Sequence, residues 1–552
     1  MIFAAGILFA GLIFSRAGRD MKSFFAAGGA VPWGVSGLSL FMGFFSAGTF
    51  VVWGSIAYTH GWVAISIQLT MALAGFVVGG IIAPRWHKTK VLTAAEFISN
   101  RLGGNVQKLY TYLFLFISLF LMGSFLYPVA RIVEISTDIS LVHSILLLGG
   151  VSILYVSLGG LWAVVVTDVL QFIILTAVVL IVIPLSFGKV GGVENFVASA
   201  PSDFFNLFNG EYTIYFILAF ALYNSIFLGG NWSYVQRYTS VKTPKDARKV
   251  GLLFGSLYLI CPILWMLPPM IYRVYNPELS GFLADEGAYL LMCKATLPMG
   301  LMGLMIGGMI FATASSLNGT LNISAGVVTN DIYKRLKPNA TDAELMKVAR
   351  FSTIALGVLA ICIALMVPKM GGIVNVVISV GALTGVPLYL PIIWTIFSKF
   401  QTATSVITAT LTGLIINCAF KFVTPALCDF SLSRAEEMMV GVSIPVVVLI
   451  IFELIYRAKG AQDPTYDTYV SWKEERDAAE QAKIDAMAGQ PEPENEGNNL
   501  STKVISIGVL LTGLLITILG FVNLNAGGVP AVIVGAVLAC GGATMYYKQK
   551  KR

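Results

Sequence analysis

Charge is scarce in this chain: Asp, Glu, Lys and Arg make up 12% of the residues, against 57% hydrophobic. So little charge excludes an ordinary water-soluble domain, and the mean hydropathy of +0.80 places the chain in the membrane class. Histidine is rarer still, at three residues, and the six cysteines are scattered through apolar runs with no CxxC pair and no grouping with those histidines. That pattern argues against a metal centre and leaves the cysteines as packing residues. No nucleophile and base stand in a suggestive arrangement either, so an enzyme is the reading that fits worst.

What the chain has in abundance is long apolar runs. About fifteen stretches of spanning length recur from end to end, which predicts an all-α polytopic membrane protein. The first run, residues 1–15, is short and is followed by Arg16, Arg19 and Lys22, the pattern of an anchor whose N-terminus lies outside. Basic residues collect in alternate loops: 15–22, 87–90 ("HKTK") with Arg101 and Lys108, 236–249 ("QRYTSVKTPKDARK"), 331–337 ("DIYKRLK"), 456–459 and the terminal "KQKKR". The formal net charge of +7 therefore reports topology and not nucleic-acid binding, with the C-terminus cytoplasmic and a bacterial inner membrane as the expected setting. Residues 460–502 differ from the rest, being a charged, helix-prone stretch followed by a Pro/Glu/Asn/Gly run. They read as a solvated cytoplasmic connector, too short for a catalytic domain.

Four spans break the apolar rule. In 33–58, Gly43, Ser46, Gly48 and Thr49 fall in mid-span and permit a helix break that frees backbone carbonyls. In 162–187, Asp168 and Gln171 share a face, and a carboxylate within a span costs a few kcal/mol unless it is paired or coordinated. In 211–233, Asn224, Ser225, Gly229, Gly230, Asn231 and Ser233 accompany a second candidate break. The fourth, "IFATASSLNGTLNISA" (310–325), sets Ser315 and Ser316 side by side as hard oxygen donors. Each has a plain alternative, close packing of small residues in the first and third, an acid hydrated at the membrane edge in the second and hydroxyls bonded to their own helix in the fourth, but two broken helices in corresponding positions of opposite-running halves point to a secondary transporter.

At these residues the chain resembles the sodium/solute symporter family, over about residues 20–425. The anchors are "GLSLFMGFFSAGTF" (37–50), "GGLWAVVVTDVLQ" (159–171), "YVQRYTSVKTPKDARK" (234–249) and "ATASSLNGTLNISAGVVTNDIYKR" (312–335). The resemblance implies a leucine-transporter-like core of two inverted five-helix repeats. On that reading the chain divides into an anchor and basic loop (1–24), a first repeat (25–187), a second (188–400), two added helices (401–459), the connector (460–502) and two C-terminal helices with a basic tail (503–552). It implies a sodium site from the Met42, Phe45 and Ala312 carbonyls with the Ser315 and Ser316 hydroxyls, and places Asp168 on the ion's exit path or at a second site. Near that second site stand Asn318 and Gly319, and glycine offers no side-chain oxygen. The expected solute cavity is lined by Ser46, Thr49, Trp53, Gln68, Asn224, Phe227, Asn231 and Trp232, while Arg131 is expected to pair with Glu134.

The function so implied is sodium-coupled import of a small organic solute by alternating access, a sugar or sugar derivative ahead of an amino acid or carboxylate. Sodium is the co-transported ion, and no cofactor, nucleic acid or obligate protein partner is expected. The competing readings are a symporter-like membrane sensor and a sodium-independent facilitator.

Overall fold

The computed structural model describes residues 31–550 apart from 92, 138, 157–160, 280–283, 461–462 and 488–495. The expected N-terminal anchor, 1–15, lies outside the described residues. Among the described residues the architecture is helical throughout, with one isolated bridge between Asn209 and Tyr212. Of the helices among the described residues, ten are long and apolar enough to cross a bilayer, a further pair does so across a bend, and three shorter apolar ones stand among them. Helix is the expected solution, since a chain in hydrocarbon must satisfy its own N–H and C=O groups.

The first helix, α1 (Trp33–Met42), stops at Gly43. The chain resumes through a wide turn at Thr49–Trp53 into α2 (Gly54–His60). Then come α3 (Val63–Lys88), a short α4 (Ala94–Leu102), α5 (Gly104–Ser136), α6 (Leu141–Val156) and α7 (Leu161–Lys189). A second interrupted helix follows, α8 (Ile214–Gly230) and α9 (Trp232–Thr239), bent by 60° at Asn231. With five crossings before it, it runs antiparallel to the first. The second set continues with α10 (Pro244–Tyr275), a short α11 (Ala288–Thr296), α12 (Met299–Val327), α13 (Asp342–Met366) and α14 (Ile373–Phe397). Beyond it lie α15 (Ala403–Cys428), α16 (Arg434–Ala458), a polar α17 (Pro464–Met487) and the pair α18 (Glu496–Val522) and α19 (Val529–Lys550).

Small residues set the closest helix contacts, because lipid gives apolar side chains no reason to prefer each other over acyl chains. A Cβ on Gly75 would come within 2.5 Å of the Gly255 backbone, and one on Gly251 within 2.4 Å of Gly79. Gly75/Gly79 on α3 and Gly251/Gly255 on α10 therefore bring two backbones into direct contact. The α18/α19 pair uses the same device through Gly513, Gly520, Gly535 and Gly542. It leans on α7. The segment expected to be solvated departs from that expectation: the first half of α17 docks on α4, with Tyr469 and Asp463 buried.

Candidate functional site

The sequence explains why α1 and α2 part. Gly43, Ser46 and Gly48 supply little helix propensity, and the break is closed by local hydroxyl bonds: Thr49 Oγ1 accepts from the Ser46 N–H at 3.2 Å and donates to the Phe44 carbonyl at 2.6 Å. A longer link ties the break to α12, where the Ala47 N–H donates to Thr313 Oγ1 at 2.8 Å. The second break is held differently. Gly229 and Gly230 end α8, and the carbonyl of Gly229 accepts from Trp86 Nε1–H at 2.7 Å. The Leu228 carbonyl accepts from the Tyr238 hydroxyl at 3.1 Å. Asn231 Oδ1 then caps the Ser233 N–H at 3.0 Å, opening α9.

A cavity of about 210 Å³ lies between the two interrupted helices, reached also by α3, α5, α12 and α14. Ser46, Thr49, Trp53, Gln68, Asn224, Phe227 and Asn231 all line it, as do Asp168 and Ser316. Trp232 does not. It is buried and stacks flat on Phe114, with ring centroids 4.5 Å apart, because the bend turns the first side chain of α9 away from the cavity. Met42, Phe45 and Ala312 are buried behind the wall, where only their backbones are relevant to an ion, and the Phe45 ring stacks on Trp265 at 3.8 Å. The side chains of Ser315 and Asn318 lie outside the described residues.

Several of the lining polar groups are already engaged. Asn224 Nδ2 donates to Thr70 Oγ1 at 2.8 Å, and Asn231 Nδ2 to the Tyr389 hydroxyl at 3.2 Å. Gln68 Nε2 and Ser316 Oγ, like Arg237 Nε at the basic end, are buried without a hydrogen-bond partner among the described residues. A buried polar group left without a partner costs about 1–3 kcal/mol, which a ligand bonding to it would offset. Asp168 accepts from Ser39 Oγ at 2.7 Å. It lies with Ser39, Ser233 and Arg237 toward the basic face of the cavity.

Four groups on the wall escaped the sequence reading. Ser39, Tyr223 and Tyr389 carry no local signal that sets them apart within their apolar runs, and Arg237 stands in a basic loop. Phe220, Tyr223 and Phe227 form a ladder along one face of α8, with successive centroids 5.4 and 5.5 Å apart. The edge of Tyr223 fits against Gly381 and Gly385 on α14, where a Cβ on Gly385 would come within 2.3 Å of the ring. A tyrosine facing a Gly-x-x-x-Gly slot was the available signal. The expected Arg131–Glu134 ion pair forms, so that guanidinium has a carboxylate of its own.

Two interrupted, oppositely directed helices enclosing a partly polar cavity define the core of a secondary transporter. The chain belongs to the sodium:solute symporter family, whose model matches residues 24–416. It is 30% identical to a sodium/glucose cotransporter of Vibrio parahaemolyticus, over 67% of this chain and 74% of that one. It is 26% identical to a sodium/sialic acid symporter of Aliivibrio fischeri, over 65% and 74%. The solved structure of a Na+-coupled sialic acid symporter in a substrate-bound outward-open state superposes with a TM-score of 0.70, at 24% identity, covering 82% of this chain and 96% of that one. The fold is the leucine-transporter-like arrangement, and the protein is a multi-pass membrane protein.

Proposed function

We propose that this protein imports an uncharged, ring-bearing organic solute together with sodium, by alternating access across a cell membrane, with sugars and sugar derivatives the foremost class. The observation that carries the reading is a pair of buried groups on one cavity with no hydrogen-bond partner among the described residues, Ser316 Oγ on α12 one turn beyond the Thr313 tie to the first break and Gln68 Nε2 on the α3 wall. A hydroxyl oxygen is a hard donor suited to sodium, and an amide N–H suits a solute hydroxyl or carbonyl. Met42, Phe45 and Ala312 would add carbonyls and Ser315 its hydroxyl, with Asp168 on the ion's path toward the basic face. The aromatic ladder of α8 offers flat apolar contact to a ring.

Charge argues for an uncharged solute. Arg237 and Asp168 are the charged side chains on the wall among the described residues, and both lie at its basic end, away from Gln68. Loops on that end carry the 236–249 and 331–337 basic clusters, which the positive-inside rule assigns to the cytoplasm. Coupling then follows from linkage: sodium bridging α1 and α12 favours the solute-competent state, and its loss toward a low-sodium cytoplasm weakens solute binding by the same factor.

A thermal-shift screen of the purified protein tests this, with neutral sugars, amino acids and carboxylates each in sodium and in potassium. A neutral sugar or polyol that stabilises in sodium alone is the expected result. Stabilisation equal in both salts would sink sodium coupling and favour a facilitator or sensor, and stabilisation by acids alone would sink the uncharged class.

A further inference from the structure

The polar helix α17 is the one long helix among the described residues with no apolar spanning character, and it lies on the basic face. Its contacts fall into two unlike parts. At the near end, Arg101 of α4 is fully buried and donates to Asp463 Oδ2 at 3.1 Å and to the Gln401 carbonyl at 2.9 Å. The Thr465 hydroxyl returns a bond to the Arg101 carbonyl at 2.9 Å. A buried charge pair of this kind is expensive to open, because parting it strands a desolvated ion. At the far end the contacts are exposed. Arg476 donates to the Lys90 carbonyl at 2.8 Å and to Glu96 at 2.9 Å, and Lys90 faces Asp477 at 3.5 Å. Their side chains are 25–47% exposed, in the range where ion pairs are weak and salt-screened.

The far end grips a strained turn. Lys90 has a φ of 61°, one of two non-glycine residues with positive φ among those described. Such backbone persists where surrounding contacts over-determine it, and such sites recur at moving parts. Four residues earlier, Trp86 holds the Gly229 carbonyl at the elbow of α8 and α9. His87 Nε2 lies 2.9 Å from the Val241 carbonyl just past α9. The turn at Lys90 is thus joined through two buried or half-buried bonds to the helix that lines the cavity at its basic end.

We propose that residues 463–477 form a two-part strap, a fixed hinge at Arg101 and a releasable clasp at Lys90, through which α17 regulates how readily the cavity opens on its basic face. The proposal rests on the reading of that face as a transport mouth, though the clasp itself is tested without sodium or solute. With the clasp shut, the Lys90 turn, Trp86 and the elbow move as one body. When it opens, the turn relaxes and α9 is freed from α17.

Hydrogen exchange by mass spectrometry on the full chain in detergent, in potassium chloride at low and high concentration, reads each part. Raising the salt should speed exchange of 464–477 about fivefold, the size expected from two exposed pairs. Arg476→Ala with Asp477→Ala should exchange fast at low salt already, lose the salt response, and raise exchange across 231–239. Lys90→Glu alone should speed exchange of 464–477, and Lys90→Glu combined with Asp477→Lys should slow it again. Identical exchange of 464–477 in parent and double-alanine protein overturns the clasp. A freed 464–477 with 231–239 unchanged overturns the regulatory link and leaves a mere tether. Neither outcome bears on sodium coupling, which the sodium-versus-potassium comparison tests by itself.

Discussion

The two interrupted helices solve the same problem in opposite ways. At the second break the freed backbone groups find protein partners: Trp86 takes the Gly229 carbonyl, Tyr238 the Leu228 carbonyl, and Asn231 caps its own helix. At the first, the hydroxyl of Thr49 closes the chain locally and Thr313 bridges to α12, but Ser316, one turn further along α12, keeps a buried hydroxyl with no hydrogen-bond partner among the described residues. A finished elbow and an unfinished one teach where each ligand belongs. On the proposed function, an ion would be the missing partner at the first break, and the second would present a rigid wall to the solute.

The sharpest way to break that contrast is Ser316→Ala. If the hydroxyl completes an ion site, its loss removes a bond to a charge, worth about 1.5–3 kcal/mol, and the sodium half-saturation of solute binding should rise by about 10–100-fold at matched protein levels. An unchanged half-saturation would leave the first break as finished as the second. Gln68→Leu comes next. Removing the orphan donor should weaken solute affinity by about tenfold, as for one hydrogen bond in a dry site, while sodium dependence stays put. A parallel loss of both would mean that Gln68 serves the whole fold and not the solute. The elbow predicts a different kind of effect: Tyr238→Phe strands the Leu228 carbonyl and should cost about 1–3 kcal/mol of stability, seen as a lower apparent melting temperature, with ligand affinities changed much less.

Much of this was legible beforehand, and the misses share a cause. Both breaks follow from glycine and hydroxyl residues interrupting apolar runs, and the family anchors carried the fold. Seven of the eight expected wall residues reach the cavity. Trp232 did not, because membership of a polar segment says nothing about the direction a side chain takes after a 60° bend. Tyr223 and Tyr389 went unnoticed because an aromatic in a span looks like core until a facing glycine slot is seen. The docking of α17 was hidden for a related reason. A run of Glu, Lys, Arg and Asp reads as solvated, and only the distant Arg101, Glu96 and Lys90 show where its charges go. Pairings hundreds of residues apart leave no local periodicity.

The smallest effect concerns the outer half of the first broken helix, and it separates the two helices once more. The elbow of α8 and α9 is tied within the bundle, whereas α2 is tied to a loop: Ser55 donates to Asp285, and the neighbouring Glu286 accepts from the Tyr127 hydroxyl at 2.9 Å and from the Ile373 N–H at 3.0 Å. Burial raises the Glu286 carboxyl above its usual 4.5, with Asp285 adding to the rise, while the bonds from Ile373 and Tyr127 and the charge of Arg131 oppose it. A carboxyl raised in the folded state contributes stability that is whole below its ordinary value and is lost as pH climbs through the raised one. Apparent melting temperature should therefore fall with pH from about 4.5 upward more steeply in the parent than in Glu286→Gln, which cannot ionise. Parallel pH curves for the two would mean that the desolvation of Glu286 is offset by its hydrogen bonds, and that the outer tie of α2 is as complete as the elbow.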